Sequence, residues 1–177
     1  MIKKRMQDAM NDQIQHELGS AYLYLAMAAD FHAKGLDGMA QWMEVQTQEE
    51  MVHAMRFFRH VDERNGRVEL KVLAAPQKEW ASPLAAFEAA YEHEQFITAR
   101  IDELVKIARE ENDNAALMML QWFVNEQIEE EANVTKVIDL LKLVGETGQG
   151  LLMADRELGT RVFVPPPAGA DAAGTPA

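Results

Sequence analysis

The chain has 177 residues, 48% of them hydrophobic, no cysteine and a formal net charge of -12. That length and apolar content suit one domain with a substantial core, and the negative charge sets it against phosphate backbones and anionic lipid, so neither nucleic acid nor a membrane is an expected partner. The lack of thiols excludes disulfides, zinc ribbons and thiolate-held iron–sulfur clusters, and Lys3, Lys4 and Arg5 precede no apolar run of the kind a signal peptide or membrane span needs, which makes the cytoplasm the default location.

A first helix is predicted over about 5–33, stopping at Lys34-Gly35, where a glycine suits the C-terminal cap. Its apolar stripe, stepping by four and three, reads Met10, Ile14, Glu17, Ala21, Tyr24, Ala28, Phe31. Asp37 suits the N-cap of a second helix that runs to about Asn65-Gly66, with the stripe Met39, Met43, Gln46, Glu50, His53, Phe57. The segment 67–81 then lacks helical periodicity, and at ~3.3 Å per residue it can reach about 50 Å. A 28-residue helix is only about 42 Å long, so the segment can cross a whole bundle and leave the second and third helices parallel. Ser82-Pro83 restarts a helix to about Glu111, with the stripe Phe87, Tyr91, Glu94, Ile97, Ile101, Leu104. After Asn112-Asp113-Asn114 a fourth helix carries Ala116, Leu120, Phe123, Gln127, Glu130, Val134, Val137, Leu141 and ends near Gly145. A short fifth helix is expected at about 149–158. The expectation is therefore an all-α four-helix bundle with one long crossover and a short C-terminal helix, forming one domain over 1–160, with 161–177 as a disordered tail.

Each of the four long stripes buries one glutamate where an apolar residue belongs. An unpaired buried carboxylate costs several kcal/mol, and four close together also repel, so positive charge must sit among them. Four carboxylates balance two divalent cations. Glu50 and His53, spaced i, i+3, share one patch of helix, and a Glu-x-x-His pair with glutamates from other helices is the donor set of a dinuclear bundle site. The equivalent second pair is Glu130 with Asn133, so one metal is expected to have an imidazole ligand and the other an all-oxygen set with Gln127 nearby. Glu49, Glu126 and Glu129 flank this group; they read either as a solvated acidic face or as a third cation position on the ions' route.

These residues, with the run Gln121-Trp122-Phe123-Val124-Asn125-Glu126-Gln127-Ile128-Glu129-Glu130-Glu131, resemble the ferritin family, in particular the non-haem bacterial ferritins, over about 1–160. The resemblance implies an iron-storage protein with ferroxidase activity, built as a homo-24-mer shell around ferric oxyhydroxide. The di-iron centre would lie within one subunit, and the oxidant would be dioxygen or hydrogen peroxide. It implies Glu17, Glu50 and His53 at the first iron, Glu50 bridging to Glu94 and Glu130 at the second with Gln127 close by, and Glu49, Glu126, Glu129 and Glu130 at a third. Tyr24 would stand beside the centre and Trp122 next to it, although residues of these types in a core stripe usually serve packing. An oxygen-rich set with one imidazole suits iron or manganese and also accepts zinc, and the all-oxygen position should bind more weakly, which would help the ferric product leave. Two alternatives share the fold, and a non-catalytic storage subunit or structural bundle is a third of a different class; of the first two, a rubrerythrin-type peroxidase would carry a cysteine-ligated iron domain, which a chain without cysteine argues against. A haem-binding bacterioferritin would use Met51, but it would keep a second Glu-x-x-His; a non-catalytic bundle would have lost several of the ligands, all of which are present. His16, His32, His60 and His93 read as surface or packing residues, and Trp42 and Trp80 as packing.

Overall fold

The protein is described by a computed structural model covering residues 1–145 and 148–165. Its helices are α1 (Lys4–Ala33), α2 (Asp37–Glu63), α3 (Pro83–Glu110), α4 (Asn114–Val144) and α5 (Gly148–Leu158), and there is no strand among the described residues. Gly35 ends α1 at φ +72°, a left-handed conformation that costs only glycine nothing. Ser82 and Asp113 cap α3 and α4 by accepting from the N–H of Ala85 at 3.2 Å and Ala116 at 3.1 Å. The start of α2 differs from expectation. Its N-cap is Leu36, which has no side-chain acceptor, and Asp37 lies within the first turn, paired with His32. Asp155 of α5 supplies the missing cap, accepting from Met39 N–H at 2.9 Å.

The crossover lies against α1 from end to end. Arg67 N–H donates to Gln7 Oε1 and Glu69 N–H to Asn11 Oδ1; Gln15 reaches the Val72 carbonyl, and Lys34 the Trp80 carbonyl. Chain order along α1 is thus matched by chain order along the crossover, which carries α2's end back to the far end of the bundle. There Asp30 accepts from Trp80 N–H at 3.2 Å, and α3 starts parallel to α2. The antiparallel pairs α1–α2 and α3–α4 pack together through α1 and α3, and α5 rests on α2 and α4.

The core has two apolar clusters. One contains Met27, Phe31, Met43, Phe87, Val134 and Leu141. The other contains Met10, Ile14, Phe57, Ile101, Leu120 and Phe123, with Phe57 and Phe123 stacked 4.2 Å apart. Between them every long helix contributes its glutamate. This places a polar layer in the middle of the bundle, closed at both ends by close-packed hydrocarbon and aromatic rings.

Two stability predictions follow from local contacts. A Cβ at Gly38 would stand 1.7 Å from the Asp155 carbonyl oxygen, and backbone cannot yield as a flexible side chain can. Gly38→Ala should therefore destabilise the fold by about 3 kcal/mol or lever α5 off α2, measured by urea unfolding and by loss of α5 protection in hydrogen exchange. His60 is the second case. Burial first, then Arg64 beside it, hold its imidazole down to about 4. Between pH about 4 and 6.5 the native protein therefore binds fewer protons here than the unfolded chain, and stability falls as pH drops through that window. Discounted for partial exposure, this amounts to roughly 1–2 kcal/mol. His60→Gln should flatten that portion of the difference curve between pH 7 and 4.

Candidate metal centre

Glu17 of α1, Glu50 and His53 of α2, Glu94 of α3, and Gln127 and Glu130 of α4 are all buried, none more than 4% exposed. The helical steps that aim them inward are those of their apolar neighbours. Burial comes from the packing of four helices, which no single stripe shows. Ligand-capable atoms of Glu17, Glu50 and His53 lie within 4.8 Å of one another, and a second such group joins His53 to Glu126 and Glu130. His53 Nδ1 is 3.3 Å from Glu50 Oε2.

Glu94 enters neither group. Tyr24 O–H donates to its Oε1, and Gln127 Nε2 donates to its Oε2 at 3.2 Å. Gln127 also reaches the Glu94 carbonyl and Thr98 Oγ1, so one amide ties the carboxylate to both α3 and α4. Trp122 and Phe123 meet the His53 ring edge-on, at centroid distances of 5.4 and 5.7 Å, and exclude water from that side.

Two glutamines that the sequence reading did not assign to the site complete it. Gln13 Nε2 donates to Glu17 Oε1 at 2.9 Å, and Gln46 Nε2 donates to Glu130 Oε2 at 2.7 Å and to Glu50 Oε1 at 3.4 Å. Each stands four residues before the glutamate of its own helix. The repeated Gln-x-x-x-Glu spacing on α1 and α2 was the available signal. A carboxylate that must be oriented in a dry core needs a neutral donor one turn away.

Burial and mutual repulsion dominate the electrostatics of the carboxylates. Burial raises Glu17, Glu50 and Glu130 well above the ordinary carboxyl range; after burial come the charge of Glu50 for Glu17, of Glu94 for Glu50, and of Glu94 and Glu50 for Glu130. Glu94 is raised by burial, against the opposing hydrogen bonds from Tyr24 and Gln127. Glu17 Oε2 is buried with no hydrogen-bond partner. Such an oxygen, on a carboxylate that groups with Glu50 and His53, fits a bound cation, which would offset its desolvation. The oxygen-rich donors with one nitrogen suit iron, manganese or zinc.

The flanking acids Glu49, Glu126 and Glu129 line an adjoining cavity of about 290 Å³ with Glu130, Asn133, Arg161, Val162 and Val164. Arg161 lies in the segment expected to be disordered, and it is paired with Glu49 at 2.5 Å. Residues 166–177 of that segment lie outside the described residues.

The family model described as "Ferritin-like domain" matches residues 7–144. The chain belongs to the ferritin family. It is 34% identical to a bacterial non-heme ferritin of Staphylococcus aureus, over 92% of this chain and 98% of that one, and 38% identical to one of Bacteroides fragilis, over 91% and 100%. Among solved structures it is similar to the open pore ferritin of the hyperthermophilic archaeon Archaeoglobus fulgidus. That match has 50% identity and a TM-score of 0.90, covering 92% of this chain and all of the other. An engineered closed form of the same archaeal ferritin matches at a TM-score of 0.91. Ferritin membership supports iron storage as the role of this chain. Among the described residues no helix is long and apolar enough to cross a membrane.

Proposed function

We propose that this chain is an iron-storage ferritin whose buried glutamates form a ferroxidase centre within each subunit. The observation that carries the reading is the buried group of Glu17, Glu50 and His53, in which Glu17 Oε2 has no hydrogen-bond partner. Glu17, Glu50 and His53 would hold one Fe(II); Glu50, Glu94 and Glu130 would hold the other. The two ions would each give one electron to dioxygen or hydrogen peroxide. Carboxylate donors favour the ferric product, and the aromatic wall beside His53 keeps bulk water from the reacting ions. Gln13, Gln46 and Gln127 orient the carboxylates without adding charge. Tyr24 and Gln127 hold Glu94 back from the other ligands, so it would swing toward the second ion when iron arrives.

The ferric product would pass to Glu49, Glu126 and Glu129, the third cation position, and on into a mineral store. A homo-oligomeric shell, a 24-mer in the family's usual form, supplies the space for that store. Large apolar side chains left in water support assembly. Tyr22, Leu25, Val72 and Leu143 are 46, 50, 87 and 84% exposed in the single chain. Residues 1–160 form the working domain of this reading.

Stopped-flow absorbance after aerobic addition of Fe(II) to the metal-free protein tests it. A fast phase saturating near ~2 Fe(II) per chain is expected for a dinuclear site. Oxidation no faster than in buffer would remove the ferroxidase and leave storage of iron oxidised elsewhere.

A further inference from the structure

Arg161 follows α5 by three residues, yet its guanidinium is fixed from several sides. Nη2 donates to Glu49 Oε2 at 2.5 Å, and Nη1 donates to Gln46 Oε1 at 2.8 Å and, more weakly, to the Trp42 carbonyl at 3.4 Å. The group lies 4.2 Å over the Trp42 ring, and Gln41 Nε2 donates to the Arg161 carbonyl at 3.3 Å. Val162 and Val164 continue along the wall of the acidic cavity. The amide of Gln46 that accepts from Arg161 gives its own N–H to Glu130 at 2.7 Å. One cationic side chain therefore holds a carboxylate of the flanking cluster directly. Through a single glutamine it also holds a carboxylate of the buried centre.

The position of Arg161 is built into the fold. Asp155 fastens α5 to the start of α2, and Gly38 and Gly159 let the two backbones approach within about van der Waals distance there. Trp42 and Gln46, one turn apart on α2, then present a ring face and a carbonyl oxygen to the guanidinium. Arginine stays protonated at any working pH and stacks on aromatic faces while keeping its hydrogen bonds, a combination that lysine does not offer.

We propose that Arg161 is the resident counter-cation of the acidic cavity, competing with a metal ion for Glu49, so that a cation leaving the buried centre must displace it. The inference rests on the reading of Glu49, Glu126 and Glu129 as a cation position. With Arg161 in place, one carboxylate of the cluster is already paired and a guanidinium forms part of the cavity wall. When a trivalent ion arrives from Glu130, the guanidinium swings off Glu49 and frees the Gln46 oxygen. Gln46 can then release Glu130 as well. The same residue therefore sets how tightly the third cation is held and when the centre empties.

The test is titration of the metal-free full chain with terbium(III), a redox-inert ion that prefers oxygen ligands, read by luminescence sensitised from Trp42. In Arg161→Gln the third ion per chain should bind about tenfold more tightly than in wild type, the effect of removing one charge-assisted pair. Arg161→Lys, which keeps the charge but not the stacking or the second hydrogen bond, should fall between wild type and Arg161→Gln, and Glu49→Gln added to Arg161→Gln should reverse the gain. A gain in affinity cannot come from damage to the fold, which would weaken binding. Equal or weaker binding in Arg161→Gln, with the third ion still present, overturns the role of Arg161 and leaves the cation position standing. Two ions and no third in every variant overturns the cation position itself, and the proposal with it.

Discussion

Replacing Glu50 with alanine is expected to abolish the fast phase of aerobic Fe(II) oxidation that the proposed ferroxidase centre would give. Glu50 sits between partners in the buried layer: His53 is 3.3 Å from one oxygen, and Gln46, which also holds Glu130, lies 3.4 Å from the other. Its loss takes a ligand from each expected ion. A drop of about 100-fold or more is expected, because even groups that only orient a metal ligand are commonly worth 10–100-fold. Gln46→Ala belongs to that weaker class. The measurement is ferric absorbance by stopped flow for wild type, Glu50→Ala and Gln46→Ala at equal iron per chain. A Glu50→Ala protein that keeps the fast phase, with native circular dichroism, would place the chemistry elsewhere.

The second large effect is on stability. Glu17, Glu50 and Glu130 have carboxyls raised above their unfolded value near 4.5. From that pH upward the metal-free native protein holds more protons than the unfolded chain, so its stability declines as pH rises through the raised range. A divalent cation reverses this decline, since it takes the place of the protons and releases them to solvent. At free metal ~100 times Kd, each site adds about 2.7 kcal/mol, and two sites together raise Tm by roughly 10–20 °C for a chain of this size. Glu17→Gln keeps the shape and the Gln13 neighbour but removes the charge. Near pH 8 with chelator it should be more stable than wild type, and with zinc it should gain less. Thermal unfolding at pH 5 and 8, with chelator and with zinc, checks all of these signs. A wild type whose Tm is insensitive to zinc at pH 8 would refute the cation reading of the layer.

Much of the fold was legible in the sequence because helical periodicity and chain punctuation are local. The stripes, Gly35, Ser82-Pro83 and Asp113 each act within a few residues of their own position. The crossover was legible from length alone, since fifteen residues without periodicity have to go somewhere and can reach the far end. The four glutamates stood out for the same local reason, as carboxylates set among residues that must be buried.

What remained hidden depends on which surfaces meet. No feature near Arg161 marks it, because its partners Trp42, Gln46 and Glu49 lie more than a hundred positions away and are reached only after α5 docks. Likewise, Asp155 as the cap of α2 and Tyr24 as the donor to Glu94 exist only once separate helices pack together. The sequence by itself determined the helices, their inward faces and the donor types, since spacing and burial cost act along the chain. Tertiary packing alone decided which donors meet, which oxygen of Glu17 is left without a partner, and which cation closes the acidic cavity, because those depend on distances between helices.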